Sequence, residues 1–141
     1  MKILTENPPV YEDIIKAGLK PTNYTIYAYG DTIYNPNKVM IPQDLIVHES
    51  VHMKQQNYND NDAKIWWERY LTDNLFRIEQ EVEAYSAQYK YVCTLYKDRN
   101  KRDKMLRQLA QFLSSPMYGS VLDVKESYKL IKNYGPTKVP N

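Results

Sequence analysis

The spacing of apolar residues changes period along this chain, and each change marks an element. After Pro8-Pro9, Ile14, Ile15 and Leu19 fall on one side of a short helix over about Val10 to Leu19, which Gly18 and Pro21 stop. Two short runs follow, Tyr24-Thr-Ile-Tyr-Ala-Tyr29 and Thr32-Ile-Tyr34, rich in the β-branched and aromatic residues that suit strands. Gly30-Asp31 between them fits a two-residue hairpin turn, with glycine where φ must be positive. From Ile41 onward the pattern is helical. Pro42 suits the first turn of a helix to about Gln56, with Asp44 near its positive end. Leu45, Ile46, Val47 and Val51 surround the first half of that helix, the pattern of a buried element. Polar residues from Asn57 to Asp62 precede a helix from Ala63 to about Leu71. Asp73 then caps a long helix to about Lys97, striped by Ile78, Val82, Tyr85, Tyr89 and Val92. Another helix spans about Asp103 to Leu113, with Met105, Leu106, Leu109 and Phe112 expected inward, and ends at Ser114-Ser-Pro116. Asp123 and Glu126 form a capping-box signal for a last helix through Ile131, and the tail after about Gly135 is expected to fray. The expected fold is α+β, helix-dominated, with a short N-terminal β-hairpin.

Composition narrows the class. A chain of 141 residues and 16.7 kDa has room for one domain, 1–141, around one core. Its 43% apolar and 26% charged residues argue against wholesale disorder. The 19 basic and 17 acidic residues are interspersed and leave a net charge of +2, so neither a nucleic-acid footprint nor a polybasic membrane patch is expected. No apolar run reaches the roughly 18–20 residues of a membrane span. The start lacks the apolar stretch of a signal peptide. With the lone Cys93, that leads us to expect a cytoplasmic protein that is not secreted by a signal peptide. One cysteine also rules out an internal disulfide framework or a multi-cysteine zinc ribbon. Two oddities remain: 14 tyrosines, and only two histidines, four residues apart.

The histidines carry the chemistry. His48-Glu49-Ser50-Val51-His52 is an HExxH sequence within an expected helix. Residues i and i+4 share a helix face, so both imidazoles can converge on one metal ion. Glu49 then lies beside the open coordination position, where it can act as general base toward water. In a chain with no other histidine this spacing is informative, and two core imidazoles without partners would be costly to bury.

A catalytic zinc site needs a third protein ligand. A metzincin would place glycine three residues after the second histidine and another histidine three further on; Gln55 and Tyr58 occupy those slots. No third histidine exists, and Cys93 sits near an exposed-looking helix end. That leaves a carboxylate from the long helix, which offers Glu79, Glu81 and Glu83. Glu81 borders the buried stripe, and small Ala84 permits close helix approach, whereas Glu79 and Glu83 pair on the opposite side. Glu81 is favoured and Glu83 is the alternative. Arg77, four residues before Glu81, is positioned to bridge to it.

The segments Pro42-Gln-Asp-Leu-Ile-Val-His-Glu-Ser-Val-His-Met-Lys-Gln-Gln56 and Glu81-Val-Glu-Ala-Tyr85 together resemble small gluzincin-type HExxH zinc metallopeptidase domains. They are also similar to short HExxH proteins of bacteriophage genomes, in which a Gln-Gln pair follows the motif. The resemblance spans about residues 24 to 90, and its HExxH core is more specific than the glutamate segment. It implies a minimal zincin-like fold, Zn2+ held by His48, His52 and Glu81, Glu49 as base, and hydrolysis of a peptide or protein substrate. The phage likeness implies a host-cytoplasmic or virion-associated protein with a phage structural partner. In the larger families an aspartate stands where this chain has Tyr85 and orients the first histidine; the Tyr85 hydroxyl could accept that imidazole N–H instead.

Two alternatives accompany this reading: a phage-type structural or binding protein that retains a zinc site without efficient catalysis, and an antirestriction or regulatory interaction module using the scaffold without metal. For catalysis, Thr32 to Tyr34 could serve as an edge strand for substrate backbone, and Tyr118, Tyr85 or Tyr128 could polarise the carbonyl. The Trp66-Trp67 pair reads as core, with one ring pointing away from the other, and exposure of either would suggest an interface. The basic run from Lys97 to Lys104, interrupted by two aspartates, reads as a solvated helix junction.

Overall fold

The computed structural model describes residues 1–135 as an α+β, helix-dominated fold with a small N-terminal sheet. The tail after Gly135, expected to fray, lies outside the described residues. In chain order the elements are β1 (Lys2–Leu4), α1 (Tyr11–Lys16), β2 (Tyr27–Tyr29), β3 (Thr32–Tyr34), α2 (Gln43–Gln55), α3 (Asp60–Thr72), α4 (Asn74–Leu95) and α5 (Arg99–Leu113). A 3₁₀ turn at Pro116–Tyr118 then leads to α6 (Val124–Asn133). No helix among the described residues is long and apolar enough to cross a membrane.

The hairpin forms as its turn chemistry requires, with Tyr29 opposite Thr32 and Gly30 at φ +63. A third strand is added to it. Lys2–Leu4 runs parallel to β3, so the sheet order is β1-β3-β2 and Thr32–Tyr34 is the central strand. The expectation that β3 offers a free edge is therefore wrong. Three residues are too few to show a period, and β1 is defined only by its long-range partner.

Several helix boundaries move outward because a polar cap lies upstream of the apolar stripe. Asn59 accepts from the Asp62 N–H and starts α3 at Asp60, and Asp98 accepts from the Asn100 N–H and starts α5 at Arg99. Asp73 caps α4, and the Asp123–Glu126 box caps α6 with both reciprocal bonds formed. The inward face of α5 is Leu106, Leu109, Ala110 and Leu113; Phe112 is exposed and Met105 is half-buried, contrary to the sequence reading. On α1, Ile14 is buried but Ile15 is exposed.

The largest departure concerns α2. Its aliphatic residues Leu45, Ile46, Val47 and Val51 are only half-buried, while its buried residues are His48, Glu49, His52 and Met53. The helix turns its polar motif, not its aliphatic side, toward α4, the helix it packs against most extensively. Both tryptophans are buried with ring planes at 84°, so neither offers an exposed interface. The Trp66 indole N–H donates to Gln80 Oε1 on α4, and the Trp67 indole N–H donates to the Ala28 carbonyl on β2. Thus α3 is wedged between the sheet and α4, and the α2–α4 seam is closed on that side by aromatic rings.

Candidate metal centre

The centre is built from two helices. Asp73 fixes the start of α4 by accepting from the Phe76 N–H at 3.0 Å. Counting along α4 from there, Glu81, Ala84, Tyr85 and Gln88 fall at i, i+3, i+4 and i+7 and share one face. Ala84 is fully buried and has no bulk to hold α2 away. Across the seam His48 and His52 present their Nε2 atoms to Glu81, and each lies 3.1 Å from the same oxygen, Oε1. The three ligand atoms lie within 4.8 Å of one another, and all three residues are at most 5% exposed. Among the described residues this is the one group of three such side chains close enough to hold a metal ion. Glu83 does not join it.

Each ligand is held from behind. Gln88 Oε1 lies 3.0 Å from His48 Nδ1, and Gln55 Oε1 lies 2.9 Å from His52 Nδ1. The second carboxylate oxygen of Glu81 accepts from the Tyr70 hydroxyl at 2.5 Å. Burial, reinforced by Glu81, pushes the Tyr70 phenol well above its usual range, so it stays protonated as a donor.

These contacts determine which ring nitrogens carry hydrogen. The Gln88 amide nitrogen donates to Asp44 Oδ2 at 2.8 Å, and the Gln55 amide nitrogen donates to Glu83 Oε1 at 2.8 Å. A carboxylate only accepts, so each amide must face its carboxylate with NH2 and its imidazole with oxygen. Each imidazole therefore donates from Nδ1, which leaves the Nε2 lone pairs directed at Glu81 Oε1. In neutral rings that makes three acceptors converge with no donor among them, so a cation must be shared there. A proton is one solution: burial lowers the His52 imidazole, but the Glu81 charge and hydrogen bond outweigh it and carry the group up to about 9. For Glu81, burial is outweighed by the two imidazoles, which hold its carboxyl well below the usual carboxylate range. A metal ion is the other solution. Tetrahedral N/O ligation at about 2.0–2.2 Å sets ligand atoms roughly 3.3–3.5 Å apart, close to the observed spacing.

Glu49 is 6% exposed, with Oε2 3.9 Å from His48 Nε2. Burial raises its pKa, partly opposed by the two histidines. A carboxyl shifted upward beside the ligand set suits proton transfer near neutrality better than an ordinary surface glutamate.

The neighbours of the centre overturn three expectations. Tyr85 does not accept the His48 N–H; its ring packs edge-on against His48 at 4.3 Å and its hydroxyl pairs with that of Tyr118 at 2.8 Å. Gln88, one turn further along α4, takes the orienting position. Arg77 does not bridge to Glu81. It is buried and donates to the carbonyls of Tyr70, Leu71 and Tyr118 and to Asn74 Oδ1, which ties the end of α3 to the 3₁₀ turn. Tyr128 donates to Asp103 between α5 and α6, away from the centre, whereas Tyr118 lines it. Tyr70, Gln55, Gln88 and Asp44 were not singled out from the sequence for these roles. Gln55 follows His52 by three residues and Asp44 precedes His48 by four, each on its ligand's own helix face, whereas Gln88 reaches His48 from the other helix, where it follows Glu81 by seven.

A cavity of about 40 Å³ adjoins the ligands, lined also by Ile14, Leu19, Pro21 and Ile26 from the N-terminal segment and by Met117 and Tyr118. Such a space holds roughly an ion and one or two waters. The edge of β2 beside it is already paired: Gln56, fully buried, accepts from the Gly30 N–H at 2.7 Å and donates to the Ala28 carbonyl at 3.1 Å, much as a neighbouring strand would. No family model, curated protein or solved structure matches this chain.

Proposed function

We propose that this chain is a minimal zinc-dependent peptidase of gluzincin type. The observation that carries the metal reading is the convergence of two Nε2 lone pairs and one carboxylate oxygen, each backed by a partner that fixes its direction. His48, His52 and Glu81 would hold the ion; two nitrogens and one oxygen suit Zn2+ and leave a fourth position free. When bound, the ion supplies Lewis acidity toward a carbonyl and toward water. Glu49 accepts the proton from the attacking water and returns it to the leaving amine. Tyr118 lines the cavity, and burial pushes its phenol well above the usual pKa, so it stays protonated; its hydroxyl would donate to the developing oxyanion while its oxygen accepts from Tyr85.

The test combines metal content with hydrolysis. Wild type should carry one zinc per chain and cleave unfolded protein substrates; His48→Ala and Glu81→Ala should lose the metal. Glu49→Gln should keep it and lose hydrolysis, and full activity in that variant would refute the mechanism. A second reading, a metal-stabilised structural or binding protein of phage type, is favoured by the small volume of the cavity and by the Gln56 pairing that occupies the β2 edge. Zinc retained without any turnover in wild type would support it.

A further inference from the structure

Both histidines sit at the inner end of the same three-part chain: imidazole, glutamine amide, carboxylate. The chains are His48–Gln88–Asp44 and His52–Gln55–Glu83. The outer carboxylates touch no ligand atom. We propose that Asp44 and Glu83 are positioning residues that set the hydrogen-bond polarity of the metal site from two bonds away, with Asp44 the dominant one. This rests on the metal-site reading above and goes beyond its ligand set.

A primary amide can turn over at little intrinsic cost, exchanging its oxygen and NH2 group. If Gln88 turned, its NH2 would face His48 Nδ1, and that nitrogen would become the acceptor. The ring proton would then move to Nε2 and point at the position of the ion, which removes one ligand. Asp44 prevents this because a carboxylate cannot donate to a turned amide oxygen, and two acceptors face to face repel. The two relays differ in redundancy. The Gln55 amide nitrogen has a second acceptor, the Gln80 carbonyl at 3.2 Å, whereas the Gln88 amide nitrogen donates to Asp44 alone among the described residues. An outer amide in place of either carboxylate could present a donor or an acceptor, so Asp44→Asn and Glu83→Gln each free the inner glutamine. Only at Gln55 does a backbone carbonyl still hold it.

The experiment measures Zn2+ affinity by chelator competition in wild type, Asp44→Asn, Glu83→Gln and the double variant Asp44→Asn/Gln88→Glu, with circular dichroism as the folding control. Asp44→Asn should weaken Zn2+ binding by about 10–100-fold, in the range of lost orienting partners, and Glu83→Gln by less than about tenfold. In the double variant the inner carboxylate accepts from His48 Nδ1–H while the outer amide donates to it, so polarity is restored and affinity should return toward wild type. A merely structural role for Asp44 would not be rescued this way. Equal affinity in wild type and Asp44→Asn, or no recovery in the double variant, overturns the proposal. Should wild type bind no Zn2+ at all, the metal reading fails, and the relay is then decided by ¹⁵N NMR of the metal-free protein at a pH where the spectra show both imidazoles neutral. The His48 proton on Nδ1 in wild type and shifted to Nε2 in Asp44→Asn sustains it; an unchanged ring in the variant refutes it.

Discussion

Replacing Tyr70 by phenylalanine removes one hydroxyl from the buried wall of the centre and little else. The ring stacks on Trp66 at 4.8 Å and 25° and meets Trp67 edge-on at 4.9 Å, contacts that phenylalanine keeps. What is lost is the 2.5 Å bond to Glu81 Oε2. A hydrogen bond to an ionised group contributes about 1.5–3 kcal/mol, and here the acceptor stays buried without a replacement, which places the cost in the upper half of that range. For a chain of this length about 1 kcal/mol moves Tm by roughly 3 °C, so the metal-free variant should melt roughly 7–9 °C lower. In the metal-loaded protein the freed oxygen can turn toward the ion, so the deficit should shrink when Zn2+ is present. Thermal denaturation with chelator and with Zn2+, for wild type, Tyr70→Phe, Glu81→Gln and the double variant, measures the coupling directly. Additive effects of the two substitutions in metal-free protein would refute the claim that Tyr70 acts through Glu81.

Three further outcomes follow from named contacts. The His52 imidazole is raised from 6.5 to about 9, so its contribution to the metal-free fold is complete below about pH 6.5 and is lost as pH rises through about 9. Metal binding requires that same nitrogen unprotonated and should strengthen over the same window, so Tm profiles with chelator and with Zn2+ must diverge as pH rises; parallel profiles would contradict the shared site. Gln56→Ala unpairs the Gly30 N–H and leaves the Ala28 carbonyl to Trp67 alone, which should cost about 2–4 kcal/mol in urea unfolding, and a cost under about 0.5 kcal/mol would show that the edge is not stapled. Gly30→Ala sets a Cβ 2.9 Å from Asp60 Oδ1 at φ +63, so it should destabilise by about 1 kcal/mol or more, and an unchanged urea midpoint would count against the turn geometry.

Local rules written in single residues carried far in this chain. Asp73 and the Asp123–Glu126 pair announced two helix starts, Gly30-Asp31 announced the hairpin, and the four-residue spacing of the only two histidines placed both on one helix face. Each of these depends on atoms within a turn or two, so the order of residues is enough to decide it. Glu81 was reachable by the same means, because helix periodicity put it at the border of a buried stripe.

Other features depend on what lies opposite. β1 exists only because β3 is beside it, and its three residues have no period of their own. The aliphatic half of α2 is the more hydrophobic one, yet the helix buries its histidines and glutamate. Glu81 and Gln88 on α4 meet the two imidazoles there, and Tyr70 on α3 holds Glu81 in turn. Residue order shows the cost of burying those groups but not the partners that offset it. The same holds for Gln55 and Gln88, ordinary amides until Glu83 and Asp44 constrain which end faces the ring. The HExxH motif and helix periodicity narrowed the side chains that could ligate an ion to His48, His52 and either Glu81 or Glu83. That their lone pairs meet at one point came from the packing of α2 against α4, since hydrogen-bond direction is set by neighbours distant in the chain.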